Sequence, residues 1–277
     1  MKKTILLLTL PLLIACQQNH DDQHLGYATV NFTLNGFAPI LTRSSLAESD
    51  MTNLWLFDFV GDECVQSIHW SSTDPAFSSP SAPLSYGTHH ICFVTSRGDD
   101  PAIDASTRVL SWSVPRDTFW GDVSLNVGAS STGSSVSVTL DRVATKLRIL
   151  ITDEVPASIV SVSATPSEWY YGLNYETGAA AGELLKERVV YVPSSYIGTS
   201  GLLAINFFGL SDSGEWMTDV LVKAVGADNA ILGQTTISDA PFVRNRSTEY
   251  SGPLFGSSSA WTILLNDIWE SPYNGTW

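Results

Sequence analysis

From Tyr27 onward, hydrophobic and polar positions alternate with period two in one segment after another, as expected of strands that bury one face. Ala28, Val30, Phe32 and Leu34 alternate with Thr29, Asn31, Thr33 and Asn35, and Val136, Val138 and Leu140 with Ser135, Ser137 and Thr139. Leu147, Ile149 and Ile151 follow the same rule, as do Val160 to Ala164, Val220 to Ala224, and Trp261, Ile263 and Leu265. Denser apolar runs at Leu54 to Val60, Ile91 to Val94 and Leu202 to Leu210 predict strands buried on both faces. Only Gly182 to Val192 reads as a passable helix, and it is rich in β-branched residues at its end. Turn chemistry at Asn35-Gly36, Gly61-Asp62, Ser130 to Ser135 and Ser211 to Gly214 separates the runs. Many short strands without intervening helices predict a mainly β chain of antiparallel sandwiches, not a parallel βαβ sheet. The Ser/Gly-rich stretch from Gly128 and the polar pair Asp141-Arg142 place a domain junction near Thr145. That gives an N-terminal sandwich over 27–145 and a C-terminal one over 146–277, with no sequence repeat relating them.

The first residues follow different rules. Lys2 and Lys3 precede an apolar run from Ile5 to Ala15, the layout of a secretory signal over 1–15 and too short to span a membrane. The run ends in Leu13-Ile14-Ala15-Cys16, which resembles a bacterial lipobox. The resemblance implies cleavage before Cys16 and acylation of that residue, and more than one acyl chain gives stable membrane anchoring. Residues 16–26 then read as a polar tether. Its acidic pair, Asp21 and Asp22, is similar to the signals that send lipoproteins of Bacteroidales to the outer face of the outer membrane.

Composition narrows the chemistry. The 277 residues carry 28 acidic and 14 basic groups, a net charge of -14, with no basic run. Nucleic acid, which is bound through clustered Lys and Arg, is therefore not an expected partner. There is no G-x-S-x-G, no H-E-x-x-H and no glycine-rich phosphate loop, so no catalytic residues are expected. His89 and His90 are neighbours in a strand run and point to opposite faces, so they do not chelate one ion together, and no metal site is expected. Cys64 and Cys92 either form a disulfide or pack as two buried thiols. Trp169, Tyr170 and Tyr171 form an aromatic group suited either to stacking on a sugar or to a strand core.

The order of these segments carries a resemblance. It runs from the lipobox through a first strand, Thr42-Arg43, Met51 to Phe59, Gly87 to Phe93, Val136 to Leu140 with Arg142 to Lys146, and Arg244 to Phe255. In that order the chain resembles the Bacteroidales fimbrillin-like lipoproteins, the subunits of type V pili, and within them the anchor and accessory branch. The resemblance implies two tandem antiparallel transthyretin-like β-sandwiches and no enzymatic activity. It implies no cofactor beyond covalent lipid (palmitate) on Cys16, and a place at the cell outer membrane, surface-exposed, in a fimbrium active in adhesion. Partners would be other fimbrial subunits through β-strand complementation, and the outer membrane through the lipid. In polymerising members a protease cuts after a basic residue in the loop behind the first strand. Here that cut falls between Arg43 and Ser44 and releases Tyr27 to Asn35, whereas in anchor members Arg43 is a solvated loop residue. The donor strand in the family is C-terminal, corresponding to Trp261 to Trp269 or the tail to Trp277. A surface glycan-binding lipoprotein is the competing reading.

Overall fold

The computed structural model describes residues 26–35, 51–183, 187–211, 215–256 and 261–266. Cys16, Arg43, Ser44 and the tail after Asn266 lie outside the described residues.

The first half contributes β1 (Tyr27–Asn35), β2 (Asn53–Val60), β3 (Glu63–Ser71), β4 (Ser81–Ser85), β5 (Gly87–Ser96), β6 (Ala102–Asp104), β7 (Val109–Ser111), β8 (Thr118–Val127), β9 (Ser135–Thr139) and β10 (Asp141–Arg142). The second contributes β11 (Ala144–Ile151), β12 (Ile159–Pro166), β13 (Tyr170–Asn174), β14 (Ala180–Glu183), β15 (Arg188–Tyr191), β16 (Ala204–Leu210), β17 (Glu215–Gly226), β18 (Ile231–Val243), β19 (Ser247–Gly252) and β20 (Thr262–Asn266). The predicted mainly β, sandwich architecture is what forms.

In the first half a sheet ordered β4-β1-β9 faces one ordered β10-β8-β5-β2-β3; in the second, β16-β11-β19-β20 faces β15-β12-β17-β18. The two halves share one topology. In each, the opening strand lies antiparallel to one neighbour and parallel to the other, β1 beside β4 and β9, and β11 beside β16 and β19. These parallel pairs depart from an all-antiparallel expectation and bring the opening strand of each half beside one from near its end. Each sandwich is filled by the inward half of its alternating positions. Val30, Phe32, Leu54, Leu56, Ile91 and Phe93 build the first core, and Leu147, Ile149, Val162, Trp169, Val220 and Phe242 belong to the second. Each such side chain contributes about 1.5–3 kcal/mol by leaving water.

The halves differ in where they carry an insertion. β6 and β7 interrupt the first between β5 and β8, and β13 and β14 interrupt the second between β12 and β15. The insertions pair with each other into a fifth sheet, β14-β13-β7-β6, with Leu110 opposite Leu173. This sheet covers the outward face of β2 and β5, where Trp55, Phe57, Phe59, Cys92 and Val94 meet Leu110, Trp112, Leu173, Tyr175 and Leu210 in a third core. The dense run is thus buried on both faces from Leu54 to Phe59, as its composition predicts, whereas Val60 at its end is exposed. The Phe57 and Tyr175 rings stack with centroids 3.9 Å apart across this joint.

Two expectations are corrected. The helical reading of Gly182 to Val192 fails, because β14 and β15 occupy its described parts; β-branched Val189, Val190 and Val192 favour extended backbone. The inward assignment fails at Ile263, 45% exposed on β20 at the edge of its sheet, and at Val160, 43% exposed where a bulge between Ile159 and Ser161 breaks the alternation.

Candidate functional site

The slot held by β1 is the feature most open to chemistry with another chain. Ala28, Val30 and Phe32 project into the first core, and the Phe32 ring meets Phe93 edge-on at 5.1 Å. Both edges of the strand are hydrogen-bonded. Phe32 N donates to Pro80 O at 2.9 Å on the β4 side, and Asn31 N to Ser134 O at 2.9 Å and Leu140 N to Asn35 O at 2.8 Å on the β9 side. Withdrawing β1 would leave an apolar groove between two unpaired strand edges, a template for an added strand.

A polar clamp closes the end of this slot. Asp58 on β2 and His89 on β5 lie inside the sandwich, with Asp58 Oδ1 2.7 Å from His89 Nδ1. The other ring nitrogen, His89 Nε2, donates to the Ser85 carbonyl at 2.8 Å, and Ser85 pairs with Tyr27 at the start of β1. Burial pushes the Asp58 carboxyl above its ordinary value, while its hydrogen bond to His89 pulls the other way. His90, on the opposite face of β5, meets Asp122 at 2.9 Å near solvent.

At the joint, two arginines tie the halves together. Arg142 grips Asp117 with two hydrogen bonds, Nε to Oδ1 at 2.7 Å and Nη2 to Oδ2 at 3.1 Å. It also donates from Nη1 to Asn245 Oδ1 in the second half at 3.0 Å. Both charged side chains are 5% exposed, and the guanidinium lies over the Phe119 ring. At the other end Arg108 bonds Glu176 and the Asp62 carbonyl and covers the Phe59 ring. The Trp120 indole donates to Tyr175 O at 3.0 Å, and its ring occupies the space a side chain at Gly178 would need.

The residues singled out by sequence fare differently. Cys64 and Cys92 are both free thiols, so the bridge offered as one alternative is absent. Cys64 lies opposite Phe59 and Cys92 opposite Phe57, on strands to either side of β2. Strands two positions apart are separated by about 9.5 Å, beyond the reach of a disulfide. The aromatic group is not a sugar platform. Trp169 is fully buried, its indole N–H donating to Phe208 O at 3.0 Å and its ring packed on Phe207, Phe242 and Gly209. Tyr171 is also buried, and half-buried Tyr170 donates its hydroxyl to Glu168. Sequence reading placed Arg142 near the junction but gave it no partner, and it missed Arg108 and Glu176. Arg142 and Asp117 are 25 residues apart and Arg108 and Glu176 are 68 apart, and neither pair falls in a motif.

Burial also sets a pH response. It raises the Cys92 thiol well above its ordinary value and the Tyr171 hydroxyl to about 12. In the unfolded chain these groups ionise near pH 8.5 and 10. Above those values the native state holds more protons than the unfolded state, so stability falls as pH rises. Urea midpoints are expected to drop between pH 8 and pH 10, with Cys92 contributing up to about 1.4 kcal/mol per pH unit. A Cys92→Ala variant should show a shallower fall, and an identical slope would count against this origin.

No protein-family model and no curated protein sequence matches the chain. Solved structures do share its fold. A candidate adhesin from Bacteroides ovatus aligns over 82% of this chain and 88% of its own with a TM-score of 0.55 at 9% identity. A candidate adhesin from Bacteroides thetaiotaomicron aligns over 87% and 96% with a TM-score of 0.54 at 10% identity. The fimbrial anchor protein Mfa2 from Porphyromonas gingivalis aligns over 88% and 98% with a TM-score of 0.50 at 12% identity. At these identities the likeness defines a shared fold.

Proposed function

We propose that this chain is a cell-surface subunit of the fimbrial or adhesin type, without enzymatic activity, and that it acts as an anchor or accessory subunit with its first strand retained. The observation that carries the reading is β1, seated between β4 and β9 and completing the first sandwich, in a fold shared with adhesin-type proteins and a fimbrial anchor. A subunit with a filled slot can donate a strand or cap an assembly, but it does not accept one. Cys16 bears the lipid that holds it at the outer membrane, and other fimbrial subunits are its partners through strand complementation. The acidic excess suits a domain held by acyl chains and not by attraction to anionic lipid.

Mass spectrometry of the mature N-terminus tests this. Acylated Cys16 on intact surface protein is the expected result. A mature chain that begins at Ser44 would replace it with the polymerising alternative, in which cleavage after Arg43 empties the slot.

A further inference from the structure

Cations are scarce in this chain, 14 against 28 acidic groups, so each has carboxylates to choose from. Arg108, Arg142, Arg148 and Lys223 each stand against one. Arg97 and Arg116 form no ion pair among the described residues. They lie close to one another instead, and Arg188 of the second half joins them.

The backbone builds this group. In the turn after β5, Arg97 N donates to Asp117 O at 3.0 Å, which sets Arg97 beside the segment holding Arg116. The turn is itself held, because Thr52 Oγ1 and Asn53 Nδ2 each donate to Gly98 O at 2.8 Å. Gly98 has a φ of +95°, and a Cβ there would lie 3.1 Å from Arg116 Cγ, so the arginine stem crosses the turn where a glycine leaves room. Trp112 N donates to Tyr171 O at 3.0 Å, bringing the chain ahead of Arg116 against β13. Arg188, at the start of β15, acts electrostatically on both Tyr171 and Arg116. All three arginines are half-buried, so solvent still reaches them.

Like charges gathered in this way repel, and more strongly where burial limits screening by water. Burial, then the charge of Arg188 and behind it that of Arg97, lower the Arg116 guanidinium below its ordinary value, while exposed Asp99 opposes them. One carboxylate against three guanidiniums leaves a local positive excess in a chain of net charge -14. An anion among them would relieve the repulsion. Guanidinium forks match the paired oxygens of a phosphate or sulfate, and a dianion offsets more charge than a carboxylate does. A long polyanion would be repelled by the rest of the chain, which favours a compact ligand. We propose that Arg97, Arg116 and Arg188 bind a compact divalent oxyanion, inorganic phosphate, sulfate or a small phosphate monoester, at the joint between the halves. The site goes beyond the subunit role and fastens the second half to the first, because Arg188 comes from one and Arg97 and Arg116 from the other.

Thermal unfolding of the full chain, followed by tryptophan fluorescence at an ionic strength held constant with sodium chloride, tests the site. Millimolar inorganic phosphate or sulfate is expected to raise the midpoint saturably by about 2–4 °C, and acetate by clearly less. Glycerol phosphate tells the sources apart: a shift equal to that of inorganic phosphate supports a site open to monoesters, and a shift confined to the inorganic ions supports a site for the free ion. Arg116→Gln should abolish the response and Arg97→Gln should weaken it several-fold. Arg148→Gln, which breaks the pair with Glu249 on β11, should leave it intact. In chloride alone Arg116→Gln should unfold no earlier than the parent, since removing one of three like charges relieves repulsion. A midpoint unmoved by phosphate and sulfate would overturn the proposal. So would equal shifts in the parent and both cluster variants, the mark of a general salt effect, or an Arg116→Gln protein that unfolds well below the parent in chloride. None of these outcomes bears on the subunit role, which is decided at the mature N-terminus.

Discussion

Arg142→Ala is expected to lower the unfolding free energy by about 3–5 kcal/mol. The substitution leaves Asp117 buried, and burial already pushes that carboxyl above its ordinary value against the attraction of Arg142. It also removes the hydrogen bond to Asn245 and the cover over Phe119. Because Arg142 belongs to the first half and Asn245 to the second, the loss should fall on the coupling between halves as well as on stability. Urea unfolding of the parent, followed by tryptophan fluorescence and by circular dichroism, should show one coincident transition, and the variant a lower midpoint with the two probes separating. Arg142→Lys should not rescue it, since a lysine offers a point charge where a planar fork grips both carboxylate oxygens. A loss below about 1 kcal/mol would place the pair among ion pairs of little consequence.

Trp169→Ala is expected to cost about 3–5 kcal/mol. The ring is enclosed by Phe207, Phe242 and Trp216, and Gly209 leaves room for it at a position where any Cβ would lie 2.6 Å from the indole. Truncation opens a cavity in the second core and strips the Phe208 carbonyl of its donor. Trp169→Phe should recover part of the loss by refilling volume without restoring the hydrogen bond. A stable Trp169→Ala protein that had instead lost affinity for a sugar would return the residue to the surface role that its aromatic neighbours suggested.

Trp169 shows where the sequence is ambiguous. An aromatic residue in a strand-rich chain suits a core or a sugar platform equally well, and its partners Phe207, Phe208 and Phe242 are 38 to 73 residues away. The three-residue strands β6 and β7 were illegible for a related reason. A strand that short shows no period, and the pairing that stabilises β7 comes from β13 in the other half. Cys64 and Cys92 were undecidable because the strand that separates them, β2, enters only through sheet order.

The sequence by itself determined the strand-rich class, most of the positions that face inward, and the two-faced burial of Leu54 to Phe59, because alternation and run length are local consequences of pleated backbone meeting water. Only the tertiary structure decided that the halves repeat one topology without repeating a sequence, that their insertions merge into a shared sheet, and that Arg142 reaches Asn245 across the joint. Those outcomes depend on contacts between residues distant in the chain, where geometric fit and the cost of burying charge select partners that no local pattern announces.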